Sequence, residues 1–539
     1  MRLLTTALAL WAASLSAQMP EPLLRTTTRL VQINVIVTKH GGASVPGLKK
    51  EDFQVFDNGK RQEIRQFSEE TRAILATAAP LPQGTFTNQI EQRSGTPAAV
   101  TAILLDGVNT RFSDQANARQ QVIRFLKQIQ PEDRIAIYTL DSRGLRVLHD
   151  YTMDSSDLVA KLAKYPGDIA ADVTGQSEVS DLLGGWLTGS GSSFERSFFL
   201  NERIQLTLNA IEFIANNLGT LPGRKNLIWV SAAFPLQIGF LNTSGSGGGR
   251  GGMSTGARGG AGGAGGAGGR SFPSGNQEQR DWTAETDRAV RALNNANLAI
   301  YPVDARGLVA SASSRIASRV YRNQATMEDL AGRTGGRAFI NTNDIAGAIR
   351  TAVEDSSVTY TLGFYPQNDK FDNSFHTLKV KLMEFPHLDL RYRHGYLDQT
   401  APAQDEKLRR AALADSVVSP LDANGIGLRA TVRLTGAGFD LNLRVDPKSI
   451  QLDPQGDRWA GKLDLLFVEM DAHGKQVYGV DDTLSMELRQ PNYERLQQEG
   501  LLYHRLIPRD VKASELRVIV RDTATGALGS ITAPFNDIQ

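Results

Sequence analysis

Cysteine is absent from this 539-residue chain. Without thiols, the chain has no disulfide bond, no thiolate metal site, no cysteine nucleophile and no lipid-modified N-terminal cysteine. Its folded parts must therefore be stabilised by packing, and 41% apolar and 22% charged residues are ordinary values for globular domains. A chain of this length is expected to form about three domains.

An excess of one charge and long apolar runs are lacking too. The 59 basic and 58 acidic residues give a net charge of +1, so no overall field favours nucleic acid or an anionic membrane. Basic residues are scattered rather than grouped with aromatic ones, which argues against nucleic-acid binding. Beyond the N-terminus no apolar run is long enough to span a bilayer, so we expect no transmembrane span in the mature chain.

Recognisable catalytic motifs are equally scarce. The seven histidines do not share a helix at metal-ligand spacing, and no H-E-x-x-H motif occurs. We therefore expect a protein that is not an enzyme. An extracytoplasmic hydrolase stays an alternative, because a pair of catalytic carboxylates can meet only in three dimensions. A structural envelope protein is another alternative.

The N-terminus has the pattern of a secretory signal peptide. Arg2 precedes an apolar run from Leu3 to Leu15, and small residues up to Ala17 suit cleavage. We predict a signal peptide over residues 1–17. The mature protein is then exported, and is periplasmic, on the cell surface or secreted.

The first half of the mature chain changes its pattern twice. Alternating apolar residues and the Asn58-Gly59 turn signal predict a β segment over residues 26–72. Residues 73–97, rich in Ala, Pro, Thr and Gln, indicate a linker. From 98 to 355, short apolar runs alternate with amphipathic helical stretches, which predicts a doubly wound, mostly parallel α/β sheet.

Two stretches inside this α/β region are informative. LAGRTGGRAFI predicts a helix, a turn and one further strand. Residues 243–272 contain 15 glycines in 30 positions and almost no apolar side chains. They predict a disordered insert, which a short Gly-Ser loop should replace with little change in melting temperature.

The remainder of the chain is rich in strand patterns. Residues 356–397 alternate like antiparallel strands, 398–424 form a charged connector, and 425–539 predict a β-sandwich-like domain. The segments 26–72 and 356–397 each hold too few strands for an independent core. We therefore expect them to pair into one β unit, with the α/β domain inserted between them.

Several stretches in this order are typical of one known family. They include EDFQVFDNGK, AILLDGVNT, GRKNLIWVS, LAIYPVDARGL, LAGRTGGRAF and YTLGFYP. The central pattern resembles von Willebrand factor type A domains. The chain resembles the exported VWFA-related acidobacterial domain family more closely still, over residues 26–397. This resemblance implies a binding or adhesion module, since the fold by itself does not determine a function.

The resemblance also implies a ligand face with a metal-ion-dependent adhesion site. In type A domains a cation is held by Asp-x-Ser-x-Ser, a later Thr and an Asp after the fourth strand. The first motif here is Asp106-Gly107-Val108-Asn109-Thr110, in which an apolar side chain stands at the first serine position. The site is therefore degenerate.

The other two ligand positions are weak as well. Ser231 and Ala232 follow the fourth strand where a carboxylate is expected, and Thr174 is the candidate for the later Thr. One carboxylate with neutral oxygens binds a dication less tightly than two carboxylates. We expect no required cofactor and at most a weakly bound Mg²⁺ or Ca²⁺ at Asp106, Thr110 and Thr174. The favoured alternative is that Asp106 accepts N–H bonds at the strand-to-helix turn.

A binding surface is expected at the carboxyl ends of the parallel strands. We predict that a protein partner, in the envelope or outside the cell, docks on a rim formed by Asp106, Gly107, Asn109, Thr110 and Ser231. The sequence does not indicate an oligomeric state.

Overall fold

The computed structural model describes most of the chain beyond its N-terminus. The described residues are 30–40, 42–71, 81–89, 100–130, 133–152, 155–167, 193–219, 221, 224–232, 282–308, 314–366, 374–385, 387–398, 406–436 and 438–538. The predicted signal peptide, the Gly-rich insert at 243–272 and Thr174 lie outside them.

The strands are numbered in chain order. They are β1 (Val31–Lys39), β2 (Phe53–Asp57), β3 (Lys60–Gln62), β4 (Gln66–Thr71), β5 (Thr85–Thr87), β6 (Val100–Asp106), β7 (Arg134–Asp141), β8 (Gly144–Thr152), β9 (Lys225–Ser231), β10 (Leu298–Asp304), β11 (Val358–Phe364), β12 (Phe375–Leu382), β13 (Leu388–Arg391), β14 (Gly395–Leu397), β15 (Leu428–Thr435), β16 (Gly438–Val445), β17 (Asp453–Gln455), β18 (Arg458–Asp471), β19 (Gln476–Arg489), β20 (Leu501–Ile507), β21 (Ala513–Asp522) and β22 (Leu528–Pro534).

The α-helices are numbered in the same way. They are α1 (Phe112–Leu126), α2 (Ser155–Lys164), α3 (Ser193–Leu218), α4 (Thr283–Asn295), α5 (Ser314–Thr334), α6 (Ile345–Glu354), α7 (Glu406–Val418) and α8 (Gln490–Glu499). Among the described helices, none is long and apolar enough to cross a bilayer.

A mixed sheet in the order β10-β9-β6-β7-β8 forms the centre of the α/β region. The first four of these strands run parallel, and β8 is antiparallel to β7 at one edge. The strands β6, β9 and β10 are buried along their whole length. Such burial explains their continuous apolar runs, because a parallel sheet is normally covered on both faces.

Helices cover both faces of this sheet. Alternate side chains of β6 point to opposite sides, so Leu104 and Leu105 belong to different apolar clusters. Leu104 shares its cluster with residues of α3, α4 and α5, whereas Leu105 packs with residues of α1, α2 and α6. The structure is therefore a mixed α/β fold with a sheet that contains parallel strands.

The further strand expected in LAGRTGGRAFI is reduced to a single bridge. Phe339 N donates to Pro302 O over 2.8 Å, and Asp304 N donates to Phe339 O over 2.9 Å. Asn341 then adopts a left-handed φ of 55°, which turns the chain away from β10. The prediction of a full strand is wrong here, because the turn ends the pairing after one bridge.

Two sheets combine strands from both sides of the α/β region. Their orders are β13-β1-β11-β4 and β14-β12-β2-β3. Val35 pairs with Tyr360, and Val55 pairs with Val380, so segments about 325 residues apart share a ladder. The inner faces of both sheets join one apolar cluster. The described strands of the two predicted segments, β1 to β4 and β11 to β14, thus contribute to one β unit.

The linker prediction over 73–97 is wrong for residues 81–89. Thr85–Thr87 form β5, which pairs with β15 from the far end of the chain. The side chain of Asn88 is buried and donates to the carbonyl oxygens of Ala423 and Ile426 over 2.7 and 2.8 Å. A three-residue strand is too short to show alternation, and its partner lies more than 340 residues away.

Two further sheets form the C-terminal part. One has the order β20-β16-β15-β5, and the other has the order β17-β18-β21-β22, with β19 also paired to β18. Their inner faces contribute to one apolar cluster that includes Val432, Leu441, Leu465 and Val518. Both sheets therefore pack around a shared core.

The connector over 398–424 contains α7. This helix packs on the second of these sheets through a buried guanidinium, since Arg517 Nε donates to Ser416 O over 2.9 Å. Arg409 of α7 also forms an ion pair with Asp464 of β18 at 3.0 Å. Helix α7 is thus fixed to the C-terminal part.

Candidate functional site

Asp106 stands at the point where the strand order of the α/β sheet reverses. It ends β6, with β7 on one side and β9 on the other. In open sheets of this kind, a crevice forms beyond the carboxyl ends of the strands at such a point. The sequence motif that starts at Asp106 therefore lies at the expected edge.

Four hydrogen bonds converge on the carboxylate of Asp106. Its Oδ1 accepts the backbone N–H of Asn109 over 3.0 Å, and its Oδ2 accepts Asn109 Nδ2 over 2.8 Å. Oδ2 also accepts Trp229 Nε1 over 3.0 Å and Ser231 Oγ over 2.9 Å. The last two bonds join the end of β6 to the end of β9.

Burial governs the protonation of Asp106. The residue is only 2% exposed, and this burial raises the pKa of its carboxyl above the ordinary value near 4. Hydrogen bonds from Asn109, Ser231 and Trp229 act in the opposite direction and are the smaller effect. Ionising Asp106 in the folded state is therefore costly.

Asn109 extends this network to helix α3. Its Nδ2 lies 2.8 Å from Thr207 Oγ1, while its Oδ1 accepts Arg203 Nε and Nη2 over 3.2 and 3.1 Å. Thr207 is fully buried, and its hydroxyl donates to Arg203 O over 2.8 Å. The sequence analysis missed Arg203 and Thr207, because no local pattern connects α3 with a turn almost 100 residues earlier.

Thr110 is also engaged within the protein. Its hydroxyl accepts the backbone N–H of Ala232 over 3.0 Å. Gln115 Nε2 donates to Thr110 O over 2.6 Å and to Gly107 O over 3.0 Å. The turn 107–110 is thereby bound to β9 on one side and to α1 on the other.

The residues predicted to form the docking rim are brought together but are buried. Asp106, Gly107, Asn109, Thr110 and Ser231 all lie beneath the surface. A docking rim was expected to expose these side chains, so their burial differs from that expectation. The reason is that each polar group turns inward to a hydrogen-bond partner.

Exposed residues begin immediately after this turn. Arg111 is exposed, and Phe112, the first residue of α1, is 45% exposed. Beside them lies a cleft of about 30 Å³, lined among others by Phe112, Tyr165 and Gly167. This volume suits about one water molecule and is far too small for a metabolite.

The groups around Asp106 do not suit a divalent cation. Magnesium and calcium need oxygen atoms with free lone pairs, whereas Asp106 meets N–H and O–H donors. The Oδ1 of Asn109 faces the guanidinium of Arg203. Among the described residues, no three His, Asp or Glu side chains form a metal-binding group. Thr174, the third predicted ligand, lies outside the described part of the chain.

Two other carboxylates end strands at the same edge. Asp141 ends β7 and pairs with Arg143, and Asp304 ends β10 and pairs with Arg306 at 2.7 Å. In each case the arginine follows two residues after the aspartate. Asp106 differs from both, because its four hydrogen bonds come from uncharged groups.

Comparisons with known proteins give little to extend this description. No protein-family model matches the chain, and no curated protein matches it. Among solved structures, the crystal structure of the SpRpn10 VWA domain is similar over 26% of this chain and 78% of that chain. The identity is 17% and the TM-score is 0.14. The chain thus has only a weak structural neighbour with a VWA domain.

Proposed function

We propose that the chain is an exported protein-binding or adhesion module. In this proposal a protein partner, in the envelope or outside the cell, docks at the carboxyl-end edge of the central sheet. The module acts by binding rather than by catalysis. The observation that carries the proposal is the hydrogen-bonded turn 107–110, which holds Arg111 and Phe112 at the surface of that edge.

The fold supports a type A-like assignment. The sheet has mostly parallel strands, one antiparallel edge strand and helices on both faces. We propose that it is a doubly wound type A-like domain of the VWFA-related acidobacterial kind. We further propose that the two C-terminal sheets, which share one core, form a β-sandwich.

The exposed residues at the edge have the chemistry of an interaction site. Aromatic and arginine side chains contribute most strongly to protein interfaces. Because the turn is fixed by hydrogen bonds to β9, α1 and α3, little conformational freedom remains to be lost on binding. Arg111 and Phe112 are therefore the proposed contact residues, in place of the buried side chains of Asp106 to Thr110.

Cation binding is proposed to be weak and not required for folding. The protein's own donors already satisfy Asp106, and Thr110 accepts the N–H of Ala232. Titration calorimetry with Mg²⁺, Mn²⁺ and Ca²⁺ should give a Kd no tighter than about 10⁻⁴ M, the range of weak calcium modules. Sub-micromolar binding that Asp106→Ala abolishes would contradict this part of the proposal.

Affinity capture from an envelope extract tests the docking edge. The baits are the mature wild type, Phe112→Ala, Arg111→Glu, and the control Tyr365→Ala. Tyr365 is a suitable control, because it is also an aromatic residue that is 45% exposed but lies just beyond β11 in the β unit. Captured proteins are identified by mass spectrometry, in the presence and absence of EDTA.

The proposal predicts a specific pattern in this experiment. At least one protein should bind the wild type and Tyr365→Ala, with or without EDTA, and bind Phe112→Ala at least about tenfold less. If every captured protein binds Phe112→Ala and Arg111→Glu as well as the wild type, the edge is the wrong surface.

A further inference from the structure

The edge strand β20 offers an interaction surface in the C-terminal part. It has the sequence LLYHRLI and stands at the end of the order β20-β16-β15-β5. Leu502 and Leu506 are 62% and 60% exposed on its outer face. Within the described part of the chain, β20 pairs with β16 alone.

The edge strand β20 lacks several of the features that usually prevent pairing with another strand, namely lysines, prolines and β-bulges. Its register with β16 runs without interruption from Phe439–Ile507 to Val445–Leu501. The inward-pointing charge of Arg505 is paired with Asp482 of β19 at 3.0 Å, and His504 on the outer face lies 2.7 Å from Asp440 of β16. An extended strand can therefore add to the edge.

The sequence of β20 is nearly symmetric about His504. Leu502 and Leu506 lie two residues to either side of it, and Tyr503 and Arg505 lie one residue to either side. In an antiparallel pair of identical strands centred on His504, each Leu502 faces Leu506 of the second copy. Each Tyr503 then faces Arg505 of the second copy.

We propose that β20 pairs antiparallel with β20 of a second copy of this chain, centred on His504. The two copies would be related by a two-fold axis, so that the same strand serves both sides of the interface. Their two sheets would join into one continuous sheet. On the outer face, Leu502 and Leu506, which each separate copy exposes to water, would form two leucine pairs between the copies.

The charges on the neighbouring strand suit this register. On β16, Arg444 is paired with Leu502, and Asp440 is paired with Leu506. Across the joined sheet, each leucine pair is consequently flanked by Arg444 at one end and Asp440 of the second copy at the other. Opposite charges thus end both rows, and at the centre His504, which lies 2.7 Å from Asp440 of its own copy, faces His504 of the second copy.

The opposite face of the strand is compatible too. Tyr503 Oη lies 2.6 Å from Asp482 Oδ2, and Arg505 Nη1 is within 3.1 Å of Tyr503 Oη. A tyrosine opposite an arginine is a favourable pair, because the guanidinium can stack on the ring. Since one strand pair buries less area than a standard interface, the dimer is weak and forms at high protein concentration.

Single-cysteine cross-linking tests the register in the full mature chain. The protein has no cysteine, so His504→Cys introduces the only thiol. Directly opposed Cα atoms in an antiparallel pair are about 4.5–5.5 Å apart, which suits a disulfide. Under mild oxidation with diamide, His504→Cys should form a covalent dimer. The exposed control Arg433→Cys, on β15 of the same sheet, should not.

Charge substitutions test the same register without a covalent bond. Leu502→Lys with Leu506→Lys places two lysine pairs across the interface and should weaken dimerisation about tenfold or more. Leu502→Glu with Leu506→Lys places Glu opposite Lys in both rows and also complements Arg444 and Asp440 on β16, so it should keep the dimer. Sedimentation velocity over a range of protein concentrations measures the effect, and circular dichroism checks that each variant folds.

The outcomes separate the alternatives. The proposal is supported if the Leu502→Lys, Leu506→Lys variant loses the dimer, the Leu502→Glu, Leu506→Lys variant keeps it, and position 504 cross-links. If the wild type stays monomeric at the highest concentrations and position 504 cross-links no faster than position 433, the second copy is not the occupant of this edge. A dimer that is insensitive to both double substitutions would place the interface elsewhere. These results do not depend on the proposed docking edge at Phe112.

Discussion

At the residue scale, Asp106 serves as an acceptor that holds two strand ends and a turn together. Its oxygens take hydrogen bonds from Asn109, Trp229 and Ser231. Removing the carboxylate leaves these buried donors without an acceptor, which costs about 1–3 kcal/mol for a donor left unsatisfied. The stability of the α/β region should therefore depend on this one side chain.

Substitution of Asp106 measures that dependence. We expect Asp106→Ala to lower the free energy of unfolding of the α/β region by about 3 kcal/mol. Asp106→Asn should cost less, because an amide oxygen still accepts hydrogen bonds. Hydrogen exchange of the β6 and β9 amides at increasing urea concentrations provides the measurement. A loss below about 0.5 kcal/mol for Asp106→Ala would show that the network contributes little to stability.

The raised pKa of Asp106 has a consequence for pH dependence. A carboxyl whose pKa is higher in the folded state binds its proton more tightly there, so its contribution to stability is largest at low pH. That contribution is present below the unfolded pKa near 4 and is lost as the pH rises through the folded pKa. The wild type should therefore lose stability relative to Asp106→Asn as the pH rises from about 4 toward 7.

Thermal melting of the wild type and of Asp106→Asn across this pH range tests whether folding raises the pKa of Asp106. The difference in melting temperature, wild type minus Asp106→Asn, should decrease with increasing pH. A difference that increases instead would mean that the hydrogen bonds outweigh burial and lower the pKa.

Sequence reasoning located Asp106 at a strand end but could not identify its partners. The type A-like motif gave the positions of Asp106 and Thr110, and burial of Val108 is expected for an apolar residue. Arg203 could not be predicted, because its contact with Asn109 arises only when α3 packs beside the turn. The hydrogen bonds around Asp106 and Asn109 thus arise from the packing of α3 and β9 beside the turn.

At the element scale, β5 has only three residues but pairs with a strand more than 340 residues away. The buried side chain of Asn88, directly after β5, accepts the N–H of Leu428 over 2.7 Å and donates to the carbonyl oxygens of Ala423 and Ile426. These bonds tie β5 to the start of β15. The C-terminal core therefore depends on a residue that precedes the α/β region.

Asn88→Ala tests this dependence. We expect the C-terminal part to lose about 2–4 kcal/mol of stability, because three buried hydrogen bonds are removed together. The control is Asn442→Ala, an exposed asparagine on β16 of the same sheet, which should have an effect below about 0.5 kcal/mol. Hydrogen exchange of the β15 and β16 amides gives the readout. Equal exchange in both variants would contradict the expected role of Asn88.

The periodicity of the sequence predicted the long buried strands but did not predict the shortest paired segments. The buried runs that became β6, β9 and β10 show strong sequence signals, because both faces of the sheet are covered. In contrast, β5 and the bridge at Phe339 comprise too few residues to show a period. Their pairing depends on partners that local sequence does not reveal.

At the scale of the whole molecule, the chain leaves the β unit after β4 and returns to it with β11. Strand β1 lies between β11 and β13, so both its neighbours come from beyond the α/β region. Composition and length indicated that each segment was too small to fold alone. The register between them could not be predicted, since it is set by packing in a shared core.

A pair of truncations tests this arrangement. A chain of residues 18–355 lacks β11 to β14, and residues 30–71 should then be cleaved by low trypsin concentrations, because β1 and β4 lose their strand partners and β2 keeps only β3. A chain of residues 18–398 retains those strands and should keep the segment protected. Mass spectrometry of the cleavage products shows whether trypsin cuts within residues 30–71 in each chain. Protection of residues 30–71 in the shorter chain would mean that the segment folds on its own.

Site-specific photo-cross-linking directly tests whether a protein partner docks at the edge that exposes Phe112. A photoreactive phenylalanine analogue replaces Phe112 in one protein and Tyr365 in the control, and each is irradiated in envelope extract with and without EDTA. If the docking edge is correct, a protein adduct forms from position 112 and not from position 365. EDTA should not change its yield. An adduct that forms only at position 365, or one at position 112 that EDTA abolishes, would contradict a cation-independent docking edge.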